Sequence, residues 1–279
     1  MSVLDENSPS VTDGLFSFKK GIRIELPDAP APDSDVYKKY RRRGTAIIFN
    51  HKYFINDCTT REGTEKDRDA LENVLKELMF DVTVYEDLTC EEVSEVLHVV
   101  SKMDHSESSC LVISVMSHGD NGILYAKDTY YETEKLWKYF SPLYCPSLAA
   151  KPKLFFIQAC RGNKTDPGFE VTYVHADSDK KSTDLYTIPV MADILVMYAT
   201  VEGYYAWRDP SKGSYFVQSL VNEIRKGYKN NKDLLTILTG VNREVAIGFT
   251  SVEPNWEVFN RKKEMCCIVS MLTRLFYFN

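Results

Sequence analysis

The sequence predicts an α/β fold built on a mainly parallel β-sheet with helices on both of its faces. Stretches with the period of a strand alternate with stretches that have the period of a helix along most of the 279 residues. Two of the predicted strands, CLVISVM and KLFFIQ, are almost continuously apolar, which is typical of strands covered on both faces. A chain of this length can bury a substantial core.

The first half of the chain begins its regular pattern after Gly44. TAIIFN predicts a buried strand, residues 64–78 carry apolar side chains at helical spacing, and DVTVYE alternates like a strand. Thr89 and Glu92 form a capping box, which predicts that an amphipathic helix begins there. The apolar strand CLVISVM, the short helix TEKLWKYF and the apolar strand KLFFIQ follow in that order.

The second half predicts a strand in ADILVMYA, helices in SYFVQSLVNEIRKGY and DLLTILTGVNREVAIGF, and one long final strand in CIVSMLTRLFYF. A chain-terminal strand at an open sheet edge would invite pairing with another chain. Residues 1–43 differ from the rest, because they mix proline with acidic residues and have few periodic apolar positions. This composition predicts a flexible leader.

Composition and charge exclude several classes of function. The net charge of −6 argues against a nucleic-acid-binding protein, and the apolar runs are too short to cross a membrane. The N-terminal residues lack the apolar segment of a secretory signal. Seven scattered cysteines without a CxxC pair argue against disulfide frameworks and zinc sites and favour a reducing cytoplasm; they are residues 58, 90, 110, 145, 160, 266 and 267.

Two of the predicted strands end in groups that can do chemistry. CLVISVM runs into His118 and Gly119, and KLFFIQ runs into Cys160, where open parallel sheets bind their ligands. An imidazole can take the proton of a thiol and later return it to a leaving amine. The N–H groups of Gly119 and Cys160 can donate to an oxyanion. Taken singly, Cys160 is better explained as a small buried residue and His118 as a turn residue.

The motif around the cysteine favours catalysis. Residues 158–162 read QACRG, which matches the caspase signature whose histidine lies about 50 residues upstream; His118 precedes Cys160 by 42 residues. Between about Tyr37 and Phe278 the chain resembles the caspases, and among them the short-prodomain effector type of insects. The resemblance rests on RGTAIIFNH, TREGTEKD, MSHGDNG, KPKLFFIQACRG, YYAWRDPSKGSYFVQSL and CIVSMLTRLFYF.

This resemblance implies a three-layer α-β-α caspase-like fold and a cysteine endopeptidase that cuts proteins after aspartate as an executioner of apoptosis. It makes Cys160 the nucleophile and His118 the catalytic histidine, with the Gly119 and Cys160 N–H groups as oxyanion hole. Because the family uses a dyad, we expect no orienting acid. We also expect no cofactor and no metal.

The resemblance also implies how substrate is bound. A buried substrate carboxylate needs cations and donors in place of water, and guanidinium groups suit it because they bind carboxylates in a bidentate fork. The matching residues are Arg61, Gln158 and Arg208 for the aspartate, and Tyr205, Trp207 and Phe259 for the neighbouring aromatic subsites. Taken alone, the arginines would be read as surface ion pairs and the aromatic residues as core.

Two positions depart from the effector pattern. Asp209 follows the pocket arginine where Asn is typical, and Tyr215 replaces a typical Trp. An ionised Asp209 cannot donate to an acidic substrate side chain four residues before the cut, and would repel it. We therefore expect a weaker or broader preference at that subsite, extending to Val or Leu.

The resemblance also implies that the protein is made as an inactive precursor, a zymogen, which is activated by cleavage. Residues 162–187 are polar and lack apolar periodicity, which is typical of a functional loop, and the resemblance implies that this loop is the linker cut between the two subunits. We expect cleavage after Asp177, followed by the small Ser178, to separate a large subunit (29–177) from a small one (178–279). Cleavage after Asp28 would remove a prodomain of residues 1–28, with Asp13 and Asp33 as rival sites.

Partners follow from the same resemblance: protein substrates with exposed aspartate-containing loops, an upstream initiator caspase, inhibitor-of-apoptosis-type proteins, and a second copy in a homodimer of large–small heterodimers. The alternative is a catalytically silent caspase-like decoy, but such a protein would have lost the cysteine, the histidine or a pocket arginine. A redox-sensing thiol protein would need a resolving cysteine near Cys160. A peptidase that cuts after basic residues would need acids in place of Arg61 and Arg208.

Overall fold

The computed structural model describes residue 31 and residues 33–55, 58–167 and 191–279. Most predicted strands and helices are present, with bounds close to those expected. In chain order they are β1 (Arg42–Asn50), α1 (Thr64–Glu77), β2 (Asp81–Glu86), α2 (Cys90–Lys102), β3 (Ser108–Met116), β4 (Gly119–Asp120), β5 (Ile123–Tyr125), β6 (Tyr130–Glu132), α3 (Lys135–Lys138), β7 (Lys153–Gln158), β8 (Ile194–Tyr198), β9 (Arg208–Asp209), β10 (Gly213–Ser214), α4 (Tyr215–Lys229), α5 (Leu234–Gly248) and β11 (Cys267–Ser270).

A six-stranded sheet in the order β11-β8-β7-β3-β1-β2 forms the centre of the molecule. All neighbouring strands in it run parallel except β11, which is antiparallel to β8. The chain passes from β1 to β2 on one side and returns to β3 on the other, so the strand order reverses beside β1. Ligands of open α/β sheets bind at the carboxyl ends of the strands near such a reversal.

The two faces of the sheet carry separate hydrophobic cores. Along β1, Ala46 and Ile48 pack with α1, α4 and α5, whereas Ile47 and Phe49 pack with α2 and α3. Successive side chains of a strand point to opposite faces, so an uninterrupted apolar strand serves both cores at once. The three-layer α-β-α arrangement follows directly from these continuous apolar strands.

Helix starts follow the capping rules. Thr89 and Glu92 make the expected capping box at α2. Ser214 caps α4 by accepting the N–H of Val217, and Asp233 caps α5 in the same way. Among the described residues, no helix combines the length and the apolar character needed to cross a bilayer.

The prediction of one long C-terminal strand is wrong. Only Cys267–Ser270 forms a strand, at the sheet edge against β8. β8 begins at Ile194, whose carbonyl still accepts the Met271 N–H at 2.8 Å, and beyond that point the ladder has no partner strand. The chain then bends away, and Phe276 and Phe278 pack into the core on the α1 side. The helix expected in TEKLWKYF is likewise limited to Lys135–Lys138.

Candidate active site

Two adjacent parallel strands bring the histidine and the cysteine to one edge of the sheet. Met116 at the end of β3 is in register with Gln158 at the end of β7. Beyond these two residues the polypeptide continues for two more positions in each case, from β3 to His118 and from β7 to Cys160. At Gly119 a Cβ atom would lie 2.7 Å from the carbonyl oxygen of Cys160, so the two strand extensions are in direct contact. A side chain at this position would force them apart.

A backbone carbonyl orients the imidazole. Nε2 of His118 lies 2.7 Å from the carbonyl oxygen of Thr59, and the Phe54 ring packs against the imidazole at 4.9 Å between centroids. A carbonyl can only accept, so Nε2 carries a proton and Nδ1 of the neutral ring is left as a base. Burial lowers the pKa of His118, against the opposing effect of the Thr59 carbonyl. The imidazole is therefore neutral, and basic, at neutral pH.

The thiol is protonated at rest. Burial raises the pKa of Cys160, while the N–H of Ala206, 3.4 Å from Sγ, and the charge of Arg61 act in the opposite direction. A protonated thiol needs a general base when it attacks, and a neutral imidazole can serve as that base.

Two arginines converge beside the thiol. Arg61 is 1% exposed, and its Nη1 donates to the carbonyl of His51 at 2.9 Å and to Oγ1 of Thr64 at 2.8 Å. Burial, followed by the charge of Arg208, lowers the pKa of Arg61 to about 9. The group therefore keeps its charge at neutral pH. Arg208 is anchored through Nε, which donates to the carbonyl of Glu62 at 2.8 Å.

A buried carboxylate, Asp67, partly offsets the two positive charges. It accepts the N–H of Ser214 with both oxygens at 2.9 Å and Nε2 of Gln218 at 2.9 Å. Its charge raises the pKa of both arginines, against the larger effect of their burial. Sequence reasoning assigned no role to Asp67, although it is the last residue of the quoted stretch TREGTEKD.

Gln158 is the third group at this place. Its side chain is 2% exposed, and its Oε1 has no hydrogen-bond partner among the described residues. Buried polar groups are normally paired. Oε1 can only accept a hydrogen bond, so the end of this amide that can donate to a ligand oxygen is its nitrogen.

The predicted aromatic residues form one cluster next to the arginines. The ring of Phe259 lies 5.6 Å from that of Tyr205 and 6.1 Å from that of Trp207, both edge-on. Phe249, which sequence reasoning missed, joins Trp207 at 5.9 Å and Tyr215 at 5.5 Å. The cluster offers a continuous apolar wall.

Asp209 lies at the turn that connects β9 and β10. Its Oδ1 accepts the N–H and hydroxyl of Ser211 at 2.7 and 2.6 Å and the N–H of Lys212 at 3.2 Å. These bonds lower the pKa of Asp209. The carboxylate is therefore ionised, and its Oδ1 is already bonded to groups of the turn.

A second buried carboxyl group, Glu264, lies behind the aromatic wall. Its Oε1 accepts the N–H of Trp207 at 2.9 Å, and its Oε2 has no partner among the described residues. Burial raises the pKa of Glu264 to about 8. No motif pointed to this residue, because its role comes from a contact 57 positions away along the chain.

Several predictions concern residues outside the described part of the chain. Asp28, Asp177 and linker residues 168–187 belong to this group. Asp33, the described rival site in the leader, is exposed. Within residues 33–55, 58–167 and 191–279, no three His, Cys, Asp or Glu side chains come together as metal ligands.

A thiol and an imidazole at the carboxyl ends of neighbouring strands, with two guanidinium groups near the thiol, are groups suited to a cysteine peptidase. The caspase domain model matches residues 43–277, and the chain therefore belongs to the caspase family. It is a cysteine endopeptidase that acts as an executioner of apoptosis.

Relatives and a solved structure agree with this assignment. Caspase-1 of Spodoptera frugiperda is 45% identical over 240 residues, covering 86% of this chain and 79% of the relative. Caspase drICE of Drosophila melanogaster is 39% identical over 264 residues, covering 94% and 77%. The crystal structure of the Spodoptera Caspase-1 aligns with a TM-score of 0.82 at 42% identity, over 90% of this chain and 97% of that one.

Proposed function

We propose that this chain cuts proteins after aspartate, with Cys160 as nucleophile and His118 as general base and acid. The observation that carries the proposal is the pair of guanidinium groups beside the thiol, one buried and one half-buried, with the buried amide of Gln158 at the end of β7. Arg61 and Arg208 are the two cations.

The chemistry follows from the resting protonation states. As Sγ attacks the scissile carbonyl carbon, the thiol proton passes to Nδ1 of His118 and a carbon–sulfur bond forms. The imidazolium then protonates the leaving amine as the carbon–nitrogen bond breaks, which leaves a thioester. Water, deprotonated by the imidazole, hydrolyses the thioester and restores the thiol. The N–H groups of Gly119 and Cys160 stabilise the oxyanion.

Specificity for aspartate follows from charge and size. A substrate carboxylate in this pocket exchanges its water for two fixed cations and an amide, which compensates for its desolvation. A neutral side chain would leave two guanidinium groups buried without an anion, which is costly. Of the acids that act on the arginines, Asp67 has the largest effect on both, and one buried carboxylate does not neutralise two guanidinium groups, so the pocket retains an attraction for an anion.

The subsites before the aspartate differ in character. Tyr205, Trp207 and Phe259 provide an apolar wall for the residue that precedes it. Asp209 places an ionised carboxylate near the more distant subsite, where Tyr215 replaces a larger aromatic residue. We infer a reduced preference for an acidic residue there.

Activation and assembly belong to the same proposal. Cleavage after Asp177 within linker 162–187 yields the large subunit (29–177) and the small subunit (178–279), and cleavage after Asp28 removes the prodomain. Two large–small pairs associate as a homodimer, for which the exposed edge strand β11 is the candidate surface. We further propose activation by an initiator caspase, inhibition by inhibitor-of-apoptosis-type proteins and a cytoplasmic location, where a catalytic thiol stays reduced.

The test compares the wild type with Cys160→Ala on fluorogenic peptides that end in Asp, Asn, Glu or Ala. We expect cleavage of the Asp peptide alone by the wild type, self-processing detected by intact mass, and neither activity in Cys160→Ala. Cys90→Ala, which removes another half-buried thiol, is the matched control and should remain active. Equal cleavage of Asp and Ala peptides would refute the proposed pocket. A processed wild type that cuts no peptide would favour the silent decoy.

A further inference from the structure

A second cavity lies on the α2 side of the sheet, away from the catalytic groups. It has a volume of about 740 Å³, within the ~300–1,000 Å³ range of small-molecule sites. Helix α2, strand β6 and helix α3 enclose it. None of the residues assigned above to catalysis or substrate binding lines it.

A half-buried thiol opens into this cavity. Cys90 is the first residue of α2, and the ammonium of Lys135 donates to its Sγ at 3.7 Å. A thiol attacks as its thiolate, and the Lys135 ammonium contacts the sulfur that would carry this charge. Lys135 also lies 6.0 Å from the centre of the Tyr131 ring.

An unsatisfied hydroxyl group faces the same place. Tyr131 is 4% exposed and lines the cavity, and its hydroxyl oxygen has no hydrogen-bond partner among the described residues. Burial, and next the charge of Cys90, raise the pKa of Tyr131, so this group is a neutral donor close to the thiol. A buried donor without an acceptor is a place where a ligand oxygen can bind.

The charges that line the cavity balance once Cys90 is a thiolate, so an anionic ligand would be held by individual donors rather than by a net charge. Lys102, Lys135 and Lys138 line the cavity together with Glu132 and Glu134. Lys135 is the one of these that contacts both the thiol and the Tyr131 ring.

The other cysteines differ in accessibility or surroundings. Cys110, Cys145 and Cys266 are buried, and burial raises the pKa of each of their thiols. Cys58 and Cys267 are half-buried but do not line this cavity.

We propose that Cys90 is a second reactive thiol, which exchanges with small carboxylate-bearing disulfides bound in this cavity. The Cys90 thiolate attacks one sulfur of the disulfide, a new sulfur–sulfur bond forms, and the old one breaks. The departing thiolate takes up the proton lost by Cys90, so no further oxidant is needed. Lys135 stabilises the attacking sulfur, and the Tyr131 hydroxyl donates to a carboxylate of the ligand.

The test uses the full chain carrying Cys160→Ala, which removes the catalytic thiol and self-cleavage. The protein is incubated with oxidised glutathione, and the modified cysteines are followed by peptide mass spectrometry. We expect Cys90 to react about tenfold faster than Cys58 or Cys267. Equal rates at the three thiols would overturn the proposal.

Three variants separate chemistry from loss of structure. Lys135→Met should slow the reaction at Cys90 about tenfold, whereas Lys135→Arg should retain most of the rate. Tyr131→Phe, which removes only the hydroxyl, should slow it several-fold. Lys76→Met, on an exposed part of α1, is the control and should change nothing. If Lys135→Met reacts like the control, Lys135 does not assist the thiol and the proposal fails.

Two disulfide reagents of opposite charge provide an independent part of the test. Oxidised glutathione carries carboxylates, and cystamine carries only ammonium groups. We expect Cys90 to prefer oxidised glutathione when each rate is divided by the rate at Cys58. A preference for cystamine would refute binding through carboxylates. Because every arm uses a protein without Cys160, failure here leaves the proposed peptidase function unaffected.

Discussion

Glu264 gives the sharpest prediction about stability. Its carboxyl group is 2% exposed, holds the N–H of Trp207 with one oxygen, and leaves the other oxygen without a partner among the described residues. Burial raises its pKa from an ordinary value of 4.5 to about 8. Replacing it with glutamine keeps the shape and the acceptor but removes the titration.

The sign and size of the effect of pH on the free energy of unfolding follow from proton linkage. Between the unfolded and folded pKa values, the folded state holds a proton that the unfolded state has released. The free energy of unfolding therefore falls as pH rises through this window, by about 1.4 kcal/mol per pH unit and roughly 5 kcal/mol in all. Glu264→Gln should resemble the parent at about pH 5 and become progressively more stable than it up to about pH 8.

Urea unfolding in a Cys160→Ala background measures this difference without self-cleavage. The parent and its Glu264→Gln variant are compared at several pH values between about 5 and 9. Glu257→Gln, an exposed acid in the same region, should unfold in parallel with the parent. If the curves of the parent and Glu264→Gln also stay parallel over the whole range, Glu264 does not titrate as inferred and the reasoning is wrong.

The remaining predictions concern catalysis. Gly119→Ala places a Cβ 2.7 Å from the Cys160 carbonyl oxygen, and should lower kcat/KM on an Asp peptide about a hundredfold. Arg61→Lys keeps the charge but loses the guanidinium fork, and should cost about a hundredfold in the same assay; an unchanged kcat/KM would contradict the proposed pocket. Asp209→Asn should raise the ratio of DEVD to VEVD cleavage several-fold, and an unchanged ratio would remove Asp209 from that subsite. Because burial lowers the pKa of His118, the acid limb of kcat/KM should fall below the ordinary imidazole value of 6.5, and a limb above that value would count against a neutral base.

The strands and helices were predictable where a pattern within the local sequence determines the structure. Continuous apolar strands require two covered faces, and a capping box at Thr89 requires a helix start, whatever the rest of the chain does. The C-terminal strand failed for the opposite reason. Its length is set by β8, which begins at Ile194, and in the described part of the chain the last backbone bonds of this ladder join Ile194 and Asp193 to Met271. The sequence of residues 267–278 does not contain that information.

The candidate site divides in the same way. Cys160, His118 and the pocket arginines stand in recognisable stretches, so their positions were predictable. The groups that change the pKa values of these residues were missed. They are the Thr59 carbonyl, which bonds the imidazole; Asp67, whose charge acts on the arginines; and Glu264, which lies behind the aromatic wall and acts on Cys160. Each acts through a contact with residues far away in sequence, and a carbonyl has no residue type to recognise.

The missed groups matter because they decide what the recognised ones can do. Two buried guanidinium groups without a counter-charge would repel each other, and burial already lowers the pKa of Arg61 to about 9. A second buried carboxylate beside them would neutralise the pocket and leave nothing to attract a substrate acid. Asp67, the buried acid that acts on both arginines, leaves one positive charge in excess, which the negative charge of one substrate aspartate would neutralise. The selectivity proposed for this enzyme therefore depends on a residue outside the catalytic motif as much as on the two arginines.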